Sequence, residues 1–146
     1  MISNRCYYAM QAVLELARRE GQGLATIAQI ARSRQIPARF LEAILVQLKQ
    51  NGYAQSVRGK EGGYMLAKPS REITAGEIVR LFEAPLFSVR NTAGGRRKKN
   101  GRKAIFDEIW HEAETAVEKV FDRINFAELA EREKKSESDS AYDFII

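Results

Sequence analysis

The chain has one cysteine and one histidine in 146 residues. A single thiol, Cys6, rules out an intramolecular disulfide framework and fits a reducing cytoplasm. His111 has no companion at metal-ligand spacing, so no metal site is read. There is no Ser-His-Asp set and no phosphate loop on a strand-to-helix turn, which leaves no basis for an enzyme. No run of about 18 apolar residues exists to span a membrane. Asn4-Arg5 is not followed by the apolar run and small-residue cleavage site of a signal peptide. Only three prolines interrupt the chain. Pro37, Pro69 and Pro85 each fall at the edge of a periodic segment.

What is present is apolar enough for a core, at 45% hydrophobic residues, and basic, at a net charge of +5. The length suits one domain, or a small domain with a dimerisation element. The charge is uneven. Arg96-Arg97-Lys98-Lys99 and Arg102-Lys103 form one cluster, while residues 107 to 143 are mostly acidic. A basic chain suits a polyanion partner, because neutralised phosphates release counterions.

The densest signal lies between Thr26 and Leu66. Thr26-Ile27-Ala28-Gln29 fits a capping box at a helix start. Ile27, Ile30 and Ala31 then share one helical face. After Ser33-Arg34-Gln35-Ile36, Pro37 suits the first position of a second helix. Leu41, Ile44, Leu45 and Leu48 give that helix its core face, and Asn51-Gly52 stops it. Ala38, Arg39 and Glu42 occupy the other side of its first turn. In a helix-turn-helix these early residues of the second helix reach base edges in the major groove.

A hairpin follows directly. Tyr53 to Val57 alternates like a strand, and Gly63-Tyr64-Met65-Leu66 returns. Arg58-Gly59-Lys60-Glu61-Gly62 joins them, with glycines for a tight turn and cations at the tip. A narrow minor groove attracts such cations. Helix-turn-helix plus basic hairpin makes a winged helix.

Residues 4 to 20 read as a first helix, with Tyr8, Ala12, Val13, Leu16 and Ala17 at helical spacing. Thr74-Ala75-Gly76-Glu77 is a second capping box, opening a short helix with Ile78, Val79, Leu81 and Phe82 inward. Pro85 closes it. A long helix from about Lys103 to Ile124 carries a stripe of Ile105, Ile109, Ala113, Ala116, Val117, Val120, Phe121 and Ile124. The stripe either folds back on its own domain or packs a second copy. Two-fold binding by helix-turn-helix proteins favours the dimer, with Ile105, Ile109, Ala113, Val117, Val120, Phe121 and Ile124 as its contacts. A short helix is expected from Phe126 to Glu133, and residues 134 to 141 are polar enough to stay disordered.

The fold class is therefore mainly α with a small β-hairpin: a winged helix-turn-helix with a long C-terminal dimerisation helix. The winged domain is placed at 1–87, an exposed basic loop at 88–103, dimerisation helices at 104–133 and a flexible tail at 134–146.

The chain resembles the Rrf-two family of bacterial winged-helix transcription regulators, the group of iron–sulfur cluster regulators, nitric-oxide-sensing repressors and cysteine-metabolism repressors. Ser56-Val57-Arg58-Gly59 with Gly62-Gly63-Tyr64 carries the likeness most specifically. Leu41-Glu42 with Leu45 and Leu48, Glu72-Ile73-Thr74 and Glu83-Ala84-Pro85-Leu86 add to it. The resemblance implies a homodimer bound to double-stranded DNA, with Arg39, Phe40 and Glu42 at the major groove. It also implies Arg58, beside Gly59 and Lys60, at the minor groove. Arg5 is counted with them. Tyr7 departs from the family pattern, where arginine often precedes the Tyr-Ala pair.

The sensor departs further. Cluster-binding relatives carry three cysteines in the loop matching 88–104, and none occurs here. A cluster needs thiolates, so no cofactor is expected. One cluster-free relative represses cysteine-metabolism genes and signals through cysteine synthase, which captures tails ending in isoleucine. Phe144, Ile145 and Ile146, after a polar tether, suit such a hook or packing on their own domain. The expected function is a cytoplasmic, cluster-free homodimeric repressor, with sulfur metabolism as its field. The alternative is an interaction module that signals through a partner on that tail or through redox chemistry at Cys6.

Overall fold

The computed structural model describes residues 2–83 and 101–145. Helix α1 spans Asn4–Arg18, α2 Ile27–Arg34 and α3 Ala38–Gln50. Strands β1 (Ala54–Val57) and β2 (Gly63–Leu66) pair antiparallel, with Ala54 opposite Leu66 and Val57 opposite Gly63. A 3-10 turn at Ser70–Glu72 leads to α4 (Ala75–Glu83). Helices α5 (Gly101–Asp122) and α6 (Phe126–Ile145) complete the chain. No helix among the described residues is long and apolar enough to cross a membrane.

Local chemistry explains the helix starts. Ser3 caps α1 by accepting from the Cys6 amide. Thr26 and Gln29 form the expected capping box: Gln29 N donates to Thr26 Oγ1 at 3.1 Å, and Thr26 N donates to Gln29 Oε1 at 2.9 Å. Thr74 and Glu77 repeat it at α4. Pro37 sits one place earlier than expected, as the N-cap of α3, with ψ of 127° outside the helical range. Between α2 and α3 the turn passes through Gln35 in the left-handed region at φ 53°.

The core is the inner faces of α1, α2 and α3 with α4 laid over them. Leu41, Ile44, Leu45 and Leu48 are all buried, as their spacing requires, alongside Val13, Ile30, Ile73 and Ile78.

Helix α6 differs most from expectation. Its first residue, Phe126, is among the largest fully buried side chains, and Leu129 and Ala130 pack beside it. The junction before it is stitched to the strand-like segment after the wing: Ala75 N donates to Ile124 O at 2.8 Å, and Phe126 N to Ile73 O at 3.0 Å. So the start of α6 completes the winged domain's core rather than serving only a dimer element. Residues 134–141, expected to be disordered as part of a flexible 134–146 tail, continue the helix to Ile145. Glu133 and Glu137 lie one turn apart on α6 and hold Arg18 at 2.9 and 2.7 Å. Arg34 of α2 makes two further bonds to Glu133, at 2.7 and 2.6 Å. Charge pairing with α1 and α2 replaces the apolar stripe that the sequence lacks there.

Helix α5 packs along α4, anchored by the Arg80–Asp122 ion pair at 2.9 Å. Its first turn takes in residues 101 to 103, which were expected in the exposed loop. The stripe along α5 and just past its end is only partly covered: Ala113, Val117, Phe121 and, beyond the helix, Ile124 are half-buried, while Ile105, Ile109 and Val120 are exposed. Phe106 and Trp110 are exposed beside them. Pro85 and most of the 88–103 loop, with Arg96 to Lys99, lie outside the described residues, as does Ile146.

Candidate nucleic-acid interface

The outer side of α3 presents Arg39, Glu42, Ala43, Val46 and Lys49, all exposed. Burial of Leu41, Ile44, Leu45 and Leu48 on the opposite side dictates this, since both sets follow the helical period. Lys49 lies two turns beyond Glu42 on the same side, a spacing that marks it as part of this surface although it was not singled out from the sequence. Its Nζ donates to Ser56 Oγ at 2.7 Å and ties α3 to the wing.

Backbone hydrogen bonds hold the wing as well. Ala25 and Tyr64 exchange two hydrogen bonds, Ala25 N to Tyr64 O at 2.9 Å and Tyr64 N to Ala25 O at 2.7 Å. This bridge fastens β2 to the segment that enters α2. It requires a glycine beside it, because a Cβ on Gly63 would lie 2.5 Å from Ala25 O. At the tip, Gly59 adopts φ 119°, which residues with a side chain rarely do. Arg58 and Lys60 flank it, both exposed.

Between the start of α2, the end of α3 and the wing lies an open groove of about 780 Å³. Lys49 and Arg58 line it, as do Ile27 and Ala28 at the start of α2. The first amides of a helix have no intrahelical acceptor, and the helix dipole favours anions there. The groove therefore combines two cations with backbone donors, the chemistry that a sugar-phosphate strand requires.

Arg5, expected on this surface, is already engaged. Its Nη2 donates to Gln47 Oε1 at 2.6 Å, and its guanidinium lies 5.8 Å from the Phe82 ring centre. Phe40, expected at the major groove, is half-exposed and stacks on Tyr8 of α1. Phe144 and Ile145 belong to the last turn of α6, and Ile146 lies beyond the described residues.

Cys6 is fully buried on α1. Burial, and then the nearby Glu83 carboxylate, push its thiol up to about 11. Reactive cysteines are thiolates in accessible electropositive surroundings, and Cys6 has neither property. Among the described residues no group of three or more His, Cys, Asp or Glu side chains is placed to hold a metal ion.

Known proteins with the same architecture confirm the assignment of the fold. A family model, Rrf2, described as an iron-dependent transcriptional regulator, matches residues 2–132. The transcriptional regulator CymR of Bacillus subtilis is 30% identical over 129 residues, 88% of each chain. Its solved structure, described as that of the global cysteine regulator, superposes with a TM-score of 0.73 at 29% identity, covering 90% of this chain and 97% of that one. IscR of T. potens superposes with a TM-score of 0.75 at 26% identity, covering 93% and 90%.

Proposed function

The chain belongs to the Rrf2 family of transcriptional regulators, and from that premise we propose that it works as a cluster-free homodimeric repressor that reads a specific duplex site. It is a DNA-binding regulator and not an enzyme. In the proposed complex Arg39 and Glu42 meet base edges, while Arg58, Gly59 and Lys60 enter the minor groove. Lys49 and the start of α2 hold the backbone between them. The observation that carries the reading is the groove that joins the exposed side of α3 to the cationic wing. Two copies meet along Ile105, Ile109, Val117 and Val120, on the helix whose apolar side α4 leaves partly open.

The iron implied by the family's description does not fit the residues present. Cys6 is buried and keeps its proton, and the segment 84–104 contains neither cysteine nor histidine. No step in the proposed function involves a metal. The likeness to the global cysteine regulator supports sulfur metabolism as the regulated field. The apolar end Phe144-Ile145-Ile146 is the feature on which we propose a cysteine-synthase-like enzyme as partner. Deleting those three residues should abolish capture of that enzyme and leave DNA affinity intact.

The direct test is affinity for a selected duplex against salt. Six to ten neutralised phosphates give roughly a thousandfold or greater loss between about 50 and 200 mM salt. Arg58→Ala should weaken binding across all sequences and flatten that slope by about one. An affinity indifferent to salt would remove the reading. Anaerobically purified protein should be colourless, and near-stoichiometric iron and sulfide in it would overturn the cluster-free assignment.

A further inference from the structure

At the N-terminal ends of α1 and α3, Tyr8, which also packs against the core, and the exposed Phe40 meet in a stack. Tyr8 and Phe40 lie 6.4 Å apart, centre to centre, with their planes at 30°. Tyr7 adjoins Tyr8 at 6.1 Å. The Arg39 guanidinium carbon lies 4.8 Å from the Phe40 ring centre. Phe40 keeps 47% of its surface exposed, which is poor use of a phenyl ring if packing were its purpose.

The guanidinium is planar. It stacks through its face and donates bidentate hydrogen bonds through its edge. Lying on Phe40 therefore leaves the edge donors free for the two acceptors of a guanine, O6 and N7. A long side chain that is already confined loses less rotamer freedom when it docks on a base. Tyr8 backs Phe40 from a different helix, so the ring cannot swing away without breaking the stack. We propose that Phe40 and Tyr8 are positioning residues for Arg39, and that Arg39 so held is the specificity-determining reader of a guanine in the operator. The inference rests on the assignment of α3 as the DNA reader made above.

The test uses the full-length protein. A duplex is first selected from a randomised pool, and affinities are then measured on it and on its single-base variants. Arg39→Ala should lower the preference for guanine at one base pair about tenfold or more. Phe40→Leu and Tyr8→Leu should each lower the preference at that same base pair about two- to fivefold, the range of an exposed cation–π contact. Phe40→Tyr should restore it. In an Arg39→Ala background, Phe40→Leu should cost no further preference there. The proposal is overturned if Phe40→Leu weakens all duplexes equally, or if it changes preference at a different base pair from Arg39→Ala. It is overturned likewise if guanine preference survives Phe40→Leu but not Arg39→Ala. Those three results leave α3 as the DNA reader. Loss of that broader assignment looks different: neither Arg39→Ala nor Glu42→Ala would alter any base preference.

Discussion

Replacing Glu133 with alanine should destabilise the fold far more than replacing Glu137, although both carboxylates pair with Arg18. Glu133 accepts two bonds from Arg34, at 2.7 and 2.6 Å, and one from Arg18 at 2.9 Å. The Arg34 side chain is only 10% exposed. Removing one partner of a buried pair strands the other charge and costs about 3–5 kcal/mol. Here the loss should be smaller, about 2–3 kcal/mol, because the site is partly wet and other partners remain. Glu133 itself is 27% exposed, and Arg34 keeps Gln11 at 3.2 Å and Glu15 at 3.5 Å. For a chain of this size that loss lowers the melting midpoint by about 4–12 °C. Glu137 is 61% exposed, so Glu137→Ala should melt close to wild type.

Circular dichroism melts at one protein concentration test this, since the midpoint of the proposed dimer would depend on concentration. The pH dependence adds a second check. Arg34's hydrogen bonds hold the Glu133 carboxyl below its ordinary value of 4.5. A carboxyl depressed in the folded state adds stability above its unfolded value and loses it as pH falls through the folded one. The difference between wild type and Glu133→Ala should therefore be full at neutral pH and close on acidification below the ordinary carboxylate range. Equal midpoints at neutral pH, or a gap that widens in acid, would refute the reasoning.

Gly63→Ala should push the wing off the entry to α2, because its methyl would meet the Ala25 carbonyl at 2.5 Å. A loss of about 1–3 kcal/mol in a denaturant titration is expected, with weaker duplex binding. Phe126→Ala should cost about 3–5 kcal/mol, the range for a buried phenylalanine. A wild-type melt would show that α6 is not part of the winged domain's core. The double variant Ile105→Glu/Ile109→Glu should sediment as a folded monomer and bind duplex far more weakly, since both side chains are exposed in the single chain. A dimer that survived those charges would place the contact elsewhere.

The winged helix was legible because its signals are local. Capping boxes at Thr26 and Thr74, the apolar period of α3 and the glycines of the wing each act within a few residues, and each is found where it was read. The Arg39–Phe40–Tyr8 stack was not legible, because it depends on two helices meeting. The part of α6 beyond Glu133 was missed for a different reason. Its polar run carries no apolar stripe, and such composition ordinarily means solvated chain. Yet a trace of α6's partner was present. Arg34 falls on the same side of α2 as Ile27 and Ile30, seven and four residues earlier, so the helical period already turned it inward. Glu15 stands likewise among the buried positions of α1, beside Ala12 and Leu16. A charge on a core-facing position must find an opposite charge or remain unburied. Arg34 thus demanded a carboxylate from outside the helix-turn-helix, beyond the one Glu15 supplies at 3.5 Å. Acidic residues one turn apart at 133 and 137, on an otherwise unpatterned segment, were candidates to meet it. Reading inward-facing charges as demands on distant segments would have drawn residues 134–141 out of the disordered class, where apolar periodicity alone could not.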